Sequence, residues 1–381
     1  MVNNTPVLIA KPVVHFDENA GLWIWSCAVD GKLVVMRSKA RLEPRADAML
    51  CAMLFPSLAA KRKIVCDAPV DAQLMENLSK AARVAKTWWG YDGPLPHASN
   101  QMSRRPGNGR GLFFSSGVDS FYTLQRFQGQ LSHIINVHGY DVAVTDVVGY
   151  EAMRSGMQAV ADDLGIGLIS VECNLRSHPL FDSLHWRETH IAALSAVAHA
   201  LGGMVSRVHA AGSDVAPPWG QHPDLDPLWS SSGLQIINDE RDIRKFDKVR
   251  AIAHWPPAQK NLRVCWKSAS HGKNCGSCEK CVRTQAALNA VGALEAFNVF
   301  PAGDLRSRIR ALRFLKPPVL PQWTRIRDNT QEPEIIAALG RLLWRSRLSI
   351  PLRLLMRRTG LTKIRFLQRL AGRGLFRLGS E

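Results

Sequence analysis

The chain lacks a long hydrophobic run. Nowhere in its 381 residues do 18 apolar residues pass without a charge, which argues against a membrane-spanning helix. The start, MVNNTPVLIAKPVVHF, has neither the charged opening nor the extended apolar core of a secretory signal. Cysteine is scarce, at eight residues, too few for a disulfide framework. Carboxylates are short as well: 32 Asp and Glu against 49 Lys and Arg leave +17. No Gly-Lys-Ser/Thr phosphate loop, Gly-x-Gly-x-x-Gly turn, repeat or low-complexity run occurs. With 46% hydrophobic and 21% charged residues, collagen-like and wholly disordered chains are excluded. A globular, cytoplasmic protein is expected.

What basic charge there is sits at one end. Residues 302–381 hold 18 Lys and Arg against 5 Asp and Glu, so they carry +13 of the +17. Length suggests two domains or one with attachments. Within 1–96, the segment VVHFDENAGLWIWSCAVDGKLVVMRS alternates like strands joined by turns, KIVC reads as a strand, and 46–90 is mostly helical in period. This predicts a small N-terminal α+β module. Residues 97–110 are polar with Pro and Gly and read as a linker. From 111 to 300 apolar strands alternate with helices, the pattern of an α/β domain with a doubly wound parallel sheet. Residues 301–381 form a basic tail, Leu, Trp, Met and Phe alternating with Arg at helical spacing. Pro351 and Gly360 are expected to break it into two or three helices. The tail suits an appendage folded on the α/β domain, an anionic membrane surface or an RNA contact. A location peripheral to the membrane follows from the second option.

The motif GLFFSSGVDSFYTLQRF runs a buried strand into Ser115-Ser116-Gly117-Val118-Asp119-Ser120 and opens a helix. Backbone N–H groups and hydroxyls at a helix start suit an anion, above all a pyrophosphate. The same residues also suit an ordinary N-cap. A second motif is Cys265-x9-Cys275-x2-Cys278-x2-Cys281. Four thiolates form a closed tetrahedral set for structural zinc, with an iron–sulfur cluster as the alternative and His271 as a reserve ligand. Lys273, Lys280 and Arg283 are placed to offset the thiolate charge. Cys27, Cys51, Cys66 and Cys173 lie on apolar segments and read as core.

The hexapeptide resembles the PP-loop, Ser-Gly-Gly-x-Asp-Ser, of the ATP pyrophosphatase superfamily, with Ser116 where that family usually has its first glycine. Together with the four-cysteine motif, the chain over 111–295 resembles the branch that includes 7-cyano-7-deazaguanine synthase. The resemblance implies an AMP-forming adenylating ligase that uses ATP, Mg2+ and Zn2+ on a carboxylate- or amide-bearing substrate. It implies nucleotide contacts at Ser115, Ser116, Gly117, Val118, Asp119 and Ser120. Val137, His138 and Gly139 match the positions beside the adenine, and Gly212 ends the fourth strand. It gives Arg187, Lys248, Asp119, Ser115 and Ser120 catalytic places, with Thr189 or His190 where the synthase has Asn. The loop carrying Asp224, Asp226, Trp229 and Ser230 takes a substrate or lid role. Asp141 and Asp146 read as loop carboxylates, and the charged run Glu240, Arg241, Asp242, Arg244 as a solvated helix face. A nucleotide-binding scaffold without turnover and an RNA-thiolating enzyme stay open as alternatives.

Overall fold

The structure, a computed structural model, describes residues 5–213, 217–239, 242–265 and 272–358. Its strands are β1 (Val7–Ile9), β2 (Val13–Asp17), β3 (Leu22–Val29), β4 (Lys32–Ser38), β5 (Ile64–Cys66), β6 (Val70–Asp71), β7 (His97–Ala98), β8 (Gln101–Met102), β9 (Gly109–Phe113), β10 (His133–His138), β11 (Gly167–Cys173), β12 (Val205–Ala211) and β13 (Gln235–Asp239). Its helices are α1 (Asp47–Ala59), α2 (Ala72–Trp89), α3 (Val118–Arg126), α4 (Val147–Leu164), α5 (Pro179–Asp182), α6 (Trp186–Ala200), α7 (Lys245–Ile252), α8 (Pro256–Asn261), α9 (Glu279–Ala290), α10 (Leu305–Ala311), α11 (Leu320–Asn329) and α12 (Pro333–Arg358). Among the described residues no helix is long and apolar enough to cross a membrane.

Five apolar strands pair in parallel in the spatial order β13-β12-β9-β10-β11. The chain lays β9, β10 and β11 side by side, then returns to place β12 on the other edge of β9. Right-handed crossovers send helices to opposite faces on the two sides of such a reversal. The contacts agree, since α3 packs with α7, α4 with α8, and α6 with α1. The carboxyl ends of β9 and β12 therefore flank the point where strand order reverses.

The whole sheet is mixed, because the N-terminal strands extend it. β11 pairs antiparallel with β4, and the order continues β4-β3-β1-β5-β7, with β2 also on β3. Asn174 locks the join, its amide donating to Leu33 O at 3.1 Å and its Oδ1 accepting from Val35 N–H at 2.8 Å. The expected boundary at 97–110 thus does not separate one sheet from another, and one buried cluster runs from Val7 to Ile236. The reason lies in α1: every residue from Asp47 to Leu58 is buried, so the helix needs cover on all sides.

The chain divides into two compact units, Met1–Asn274 with Phe297–Val299, and Cys275–Ala296 with Phe300–Glu381. The division falls at Cys275 rather than at 301, so α9 belongs with the helices of the tail. In the second unit α12 packs on α10 and α11, and α11 on α9. Fully buried Trp323 donates its indole N–H to Glu279 Oε1 at 2.7 Å. Pro351 does not break α12, which continues to Arg358. A helical proline removes one bond, here to the carbonyl of Arg347, and Arg347 is exposed, so water can take that place. Gly360 lies outside the described residues.

Candidate functional site

The turn after β9 is held open from below. Phe114 N–H donates to Ile135 O at 2.9 Å and Arg263 N–H donates to Ser116 O at 2.8 Å. Ser116 is buried at φ +58°, the left-handed region that costs a non-glycine residue roughly 1–2 kcal/mol. Ser116 carries that strain, which a glycine at the same position would not. Gly117 occupies the N-cap of α3, and no side chain caps this helix. The ordinary-cap account of Ser115, Ser116 and Asp119 is thereby corrected. Ser115 N-caps nothing; its Oγ lies 3.4 Å from Ser120 Oγ and accepts from Gly117 N–H at 3.3 Å. Ser120 Oγ donates to Gly117 O at 3.0 Å. Val118, the first helical residue, is buried.

Two lysines converge on the first turn of α3. Lys245 ion-pairs with Asp119 Oδ2, and Lys248 Nζ lies 3.3 Å from Asp119 Oδ1. Lys248 is fully buried and donates to Gly212 O at 2.6 Å. Gly212, just past β12, donates its own N–H to Asp239 O at 2.6 Å. Burial works to raise the Asp119 pKa, but Lys245 and Lys248 together hold it below the usual carboxylate range. Ser115–Ser120, Gly212 and Lys248 are thus brought to one place, at the carboxyl ends of adjacent strands. Lys245 was missed in the sequence; it stands three residues before Lys248, hence on the same helical face.

Other expected residues take other roles. Val137 is core. His138 stacks on Tyr150 with ring centres 4.0 Å apart, and its Nε2 lies 2.9 Å from Ala143 O, so its side chain is structural. Gly139, at φ +104°, admits no side chain because a Cβ would lie 2.0 Å from Cys173 O. Arg187 is exposed at the start of α6, its guanidinium 5.9 Å over Trp219 and its Nε 3.3 Å from His185 Nδ1. Thr189 is buried, and burial pushes the His190 pKa down. Asp146 caps α4 through Gly149 N–H at 2.9 Å.

The loop expected to hold substrate is largely packed inward. Trp229 is fully buried against Phe55, and Ser230 Oγ accepts from Ile236 N–H at 3.0 Å. Asp226 is fully buried, accepting from His222 N–H at 2.8 Å and Asn238 Nδ2 at 2.6 Å. Burial lifts its pKa to about 7. Asp224 stays exposed. A long loop after a strand can hide a core plug as readily as a lid, and no local signal separated the two. Asp242 and Arg244 are exposed but precede α7, which begins at Lys245, so the expected helix face is corrected to a solvated turn ahead of the helix. Glu240, Arg241 and His271 lie outside the described residues.

The four cysteine sulfurs of Cys265, Cys275, Cys278 and Cys281 lie within 4.8 Å of one another and can hold a metal ion. Asn274 Oδ1 accepts from Val264 N–H at 2.8 Å and Cys265 N–H at 3.2 Å. Cys278 N–H points at Cys275 Sγ at 3.3 Å, and Cys281 N–H at Cys278 Sγ at 3.4 Å. Gly276 at φ +70° turns the chain between Cys275 and Cys278. Cys278 caps α9, placing sulfur at the positive end of a helix. Arg283 pairs with Glu279 at 3.0 Å, so it faces a carboxylate. Cys27, Cys51, Cys66 and Cys173 are buried, and burial raises the Cys27 thiol to about 12 and Cys173 to about 11, which leaves them inert.

No protein-family model, curated protein or solved structure matches this chain. Its chemistry rests on its own residues. An uncapped helix start, two hydroxyls and two ammonium groups can bind a polyanion; four thiolates can bind a soft divalent cation.

Proposed function

We propose that the chain is an ATP-dependent, AMP-forming adenylating enzyme of the PP-loop type, with a structural zinc at its four cysteines. One observation carries the reading: the uncapped start of α3 faces Lys245 and Lys248 where strand order reverses. Ligands of open α/β sheets bind at such a crevice. In this reading the amides and hydroxyls of Ser115–Ser120 hold the phosphates, and a Mg2+ ion supplies charge neutralisation there when bound. Lys245 and Lys248 balance the charge of departing pyrophosphate. A carboxylate or amide oxygen of the substrate attacks the α-phosphorus, the α–β phosphoanhydride bond breaks, and pyrophosphate leaves. A nitrogen nucleophile then displaces AMP from the adenylate. The main chain at Val137–Gly139 borders the adenine, and Arg187 orients an anionic substrate group. Four thiolates leave zinc no open position, so its role is to hold shape.

A scaffold that binds nucleotide without turnover draws on one observation, the engagement of both lysines by Asp119. The two readings separate by following ATP conversion to AMP and pyrophosphate with carboxylate and amide substrates plus ammonia. Ser120→Ala and Asp119→Ala should each lose at least 100-fold in turnover, on the order of 3 kcal/mol, with circular dichroism unchanged for Ser120→Ala. Normal turnover in both variants removes the assignment, and binding without turnover in the unaltered chain favours the scaffold.

A further inference from the structure

Helix α12 has apolar residues on both of its faces. One face is buried on α10 and α11 through Ile335, Ala338, Leu339, Leu342 and Leu343. The other is exposed: Ile336 is 37%, Leu348 56% and Trp344 67% accessible. At about 100° per residue these three fall within roughly 120° of arc. Arg341 and Arg347, also exposed, lie within or beside that arc, and Arg347 meets a neutral hydroxyl, Thr324 Oγ1, at 3.3 Å. From 335 to 350 the sequence contains no carboxylate. Among the described residues nothing covers this face.

An exposed apolar face with tryptophan at its centre needs an occupant, and charge decides which. A second copy would set Arg341 and Arg347 against the same arginines with no acid between them. A nucleic acid would engage the arginines but leave Ile336 and Leu348 in water. An anionic lipid surface meets both demands, taking the apolar side chains at the acyl boundary and the guanidinium groups among phosphates. We propose that the exposed face of α12 docks the protein onto an anionic membrane surface.

Flotation of the full chain with vesicles tests this. The expected result is co-flotation with phosphatidylcholine–phosphatidylserine vesicles, little with phosphatidylcholine alone, and release by high salt. A Trp344→Ser/Leu348→Ser variant, altered only at exposed positions, should bind at least about tenfold more weakly with unchanged circular dichroism. Arg341→Gln/Arg347→Gln should lose the preference for anionic vesicles. Three results overturn the proposal: no binding by the unaltered chain, undiminished binding by Trp344→Ser/Leu348→Ser, or binding to single-stranded RNA with none to vesicles. A concentration-dependent dimer abolished by Trp344→Ser, without vesicle binding, would assign the face to a second copy instead.

Discussion

Ser116 and Asp226 carry opposite kinds of tension. Ser116 is strained in its backbone at φ +58°. Ser116→Gly removes that strain at some cost in unfolded-chain entropy, so stability should rise by about 0.5–1 kcal/mol in urea denaturation. An unchanged or lower midpoint would deny the strain. Asp226 is instead a carboxyl held neutral by burial, with its pKa raised to about 7. Its unfolded value is about 3.9. The native state therefore binds the extra proton between about 4 and 7, and stability is lost as pH rises through that window. The slope from this group is up to roughly 1.4 kcal/mol per pH unit. Asp226→Asn should abolish it, so the melting temperature of the variant gains on the unaltered protein between pH 5 and 8. Parallel curves for the two proteins would contradict the burial argument. Asp119 is the reverse case: its lowered pKa stabilises the fold above about 4 and is lost in acid.

Among the elements, α2 shows how a cap becomes a junction. Asp71 caps it by accepting from Leu74 N–H at 2.9 Å and also accepts from Ser232 N–H at 3.0 Å and Arg104 N–H at 3.3 Å. Its own N–H donates to buried Asp47 at 2.6 Å. A cap alone is worth about 1 kcal/mol; with buried donors left unpaired, Asp71→Ala should cost roughly 2–4 kcal/mol. The check is the urea midpoint at constant slope. A loss near 1 kcal/mol would mean that only the cap matters. The strands and helices themselves were largely legible. The apolar run 133–137 and the helical pattern 151–164 mark β10 and α4, because local pattern follows directly from backbone geometry, although α4 starts four residues earlier than its pattern does. β13 escaped: QIIND is short and lies in a polar, aromatic segment, so nothing local distinguished it from loop.

A metal held by the four cysteines would add to the stability of the molecule as a whole. The purified chain should hold one zinc per molecule by elemental analysis. Cys278→Ser should abolish it and lower the melting temperature of the metal-loaded protein, because metal affinity adds to folding free energy. A full zinc complement in that variant would remove Cys278 from the ligand set. A visible charge-transfer spectrum would favour iron–sulfur instead. The basic tail shows what composition leaves undecided. Its period indicated helices, but whether they fold together, bind lipid or bind RNA depends on which face finds cover. The structure folds one face of α12 into the second unit and leaves the other exposed.

Local relations were readable from the chain: the strand–turn–helix at Ser115–Ser120, the α/β alternation and the cysteine spacing. Each links residues a few positions apart, where chain geometry limits the outcomes. Relations between distant residues emerged only on folding. Lys245 meets Asp119 across 126 positions, and Arg37 meets Glu172 across 135 where β4 extends the parallel sheet. Asp226 is buried by neighbours from other elements. Such pairings depend on which surfaces bury one another, and many sequences of the same local pattern could pair differently.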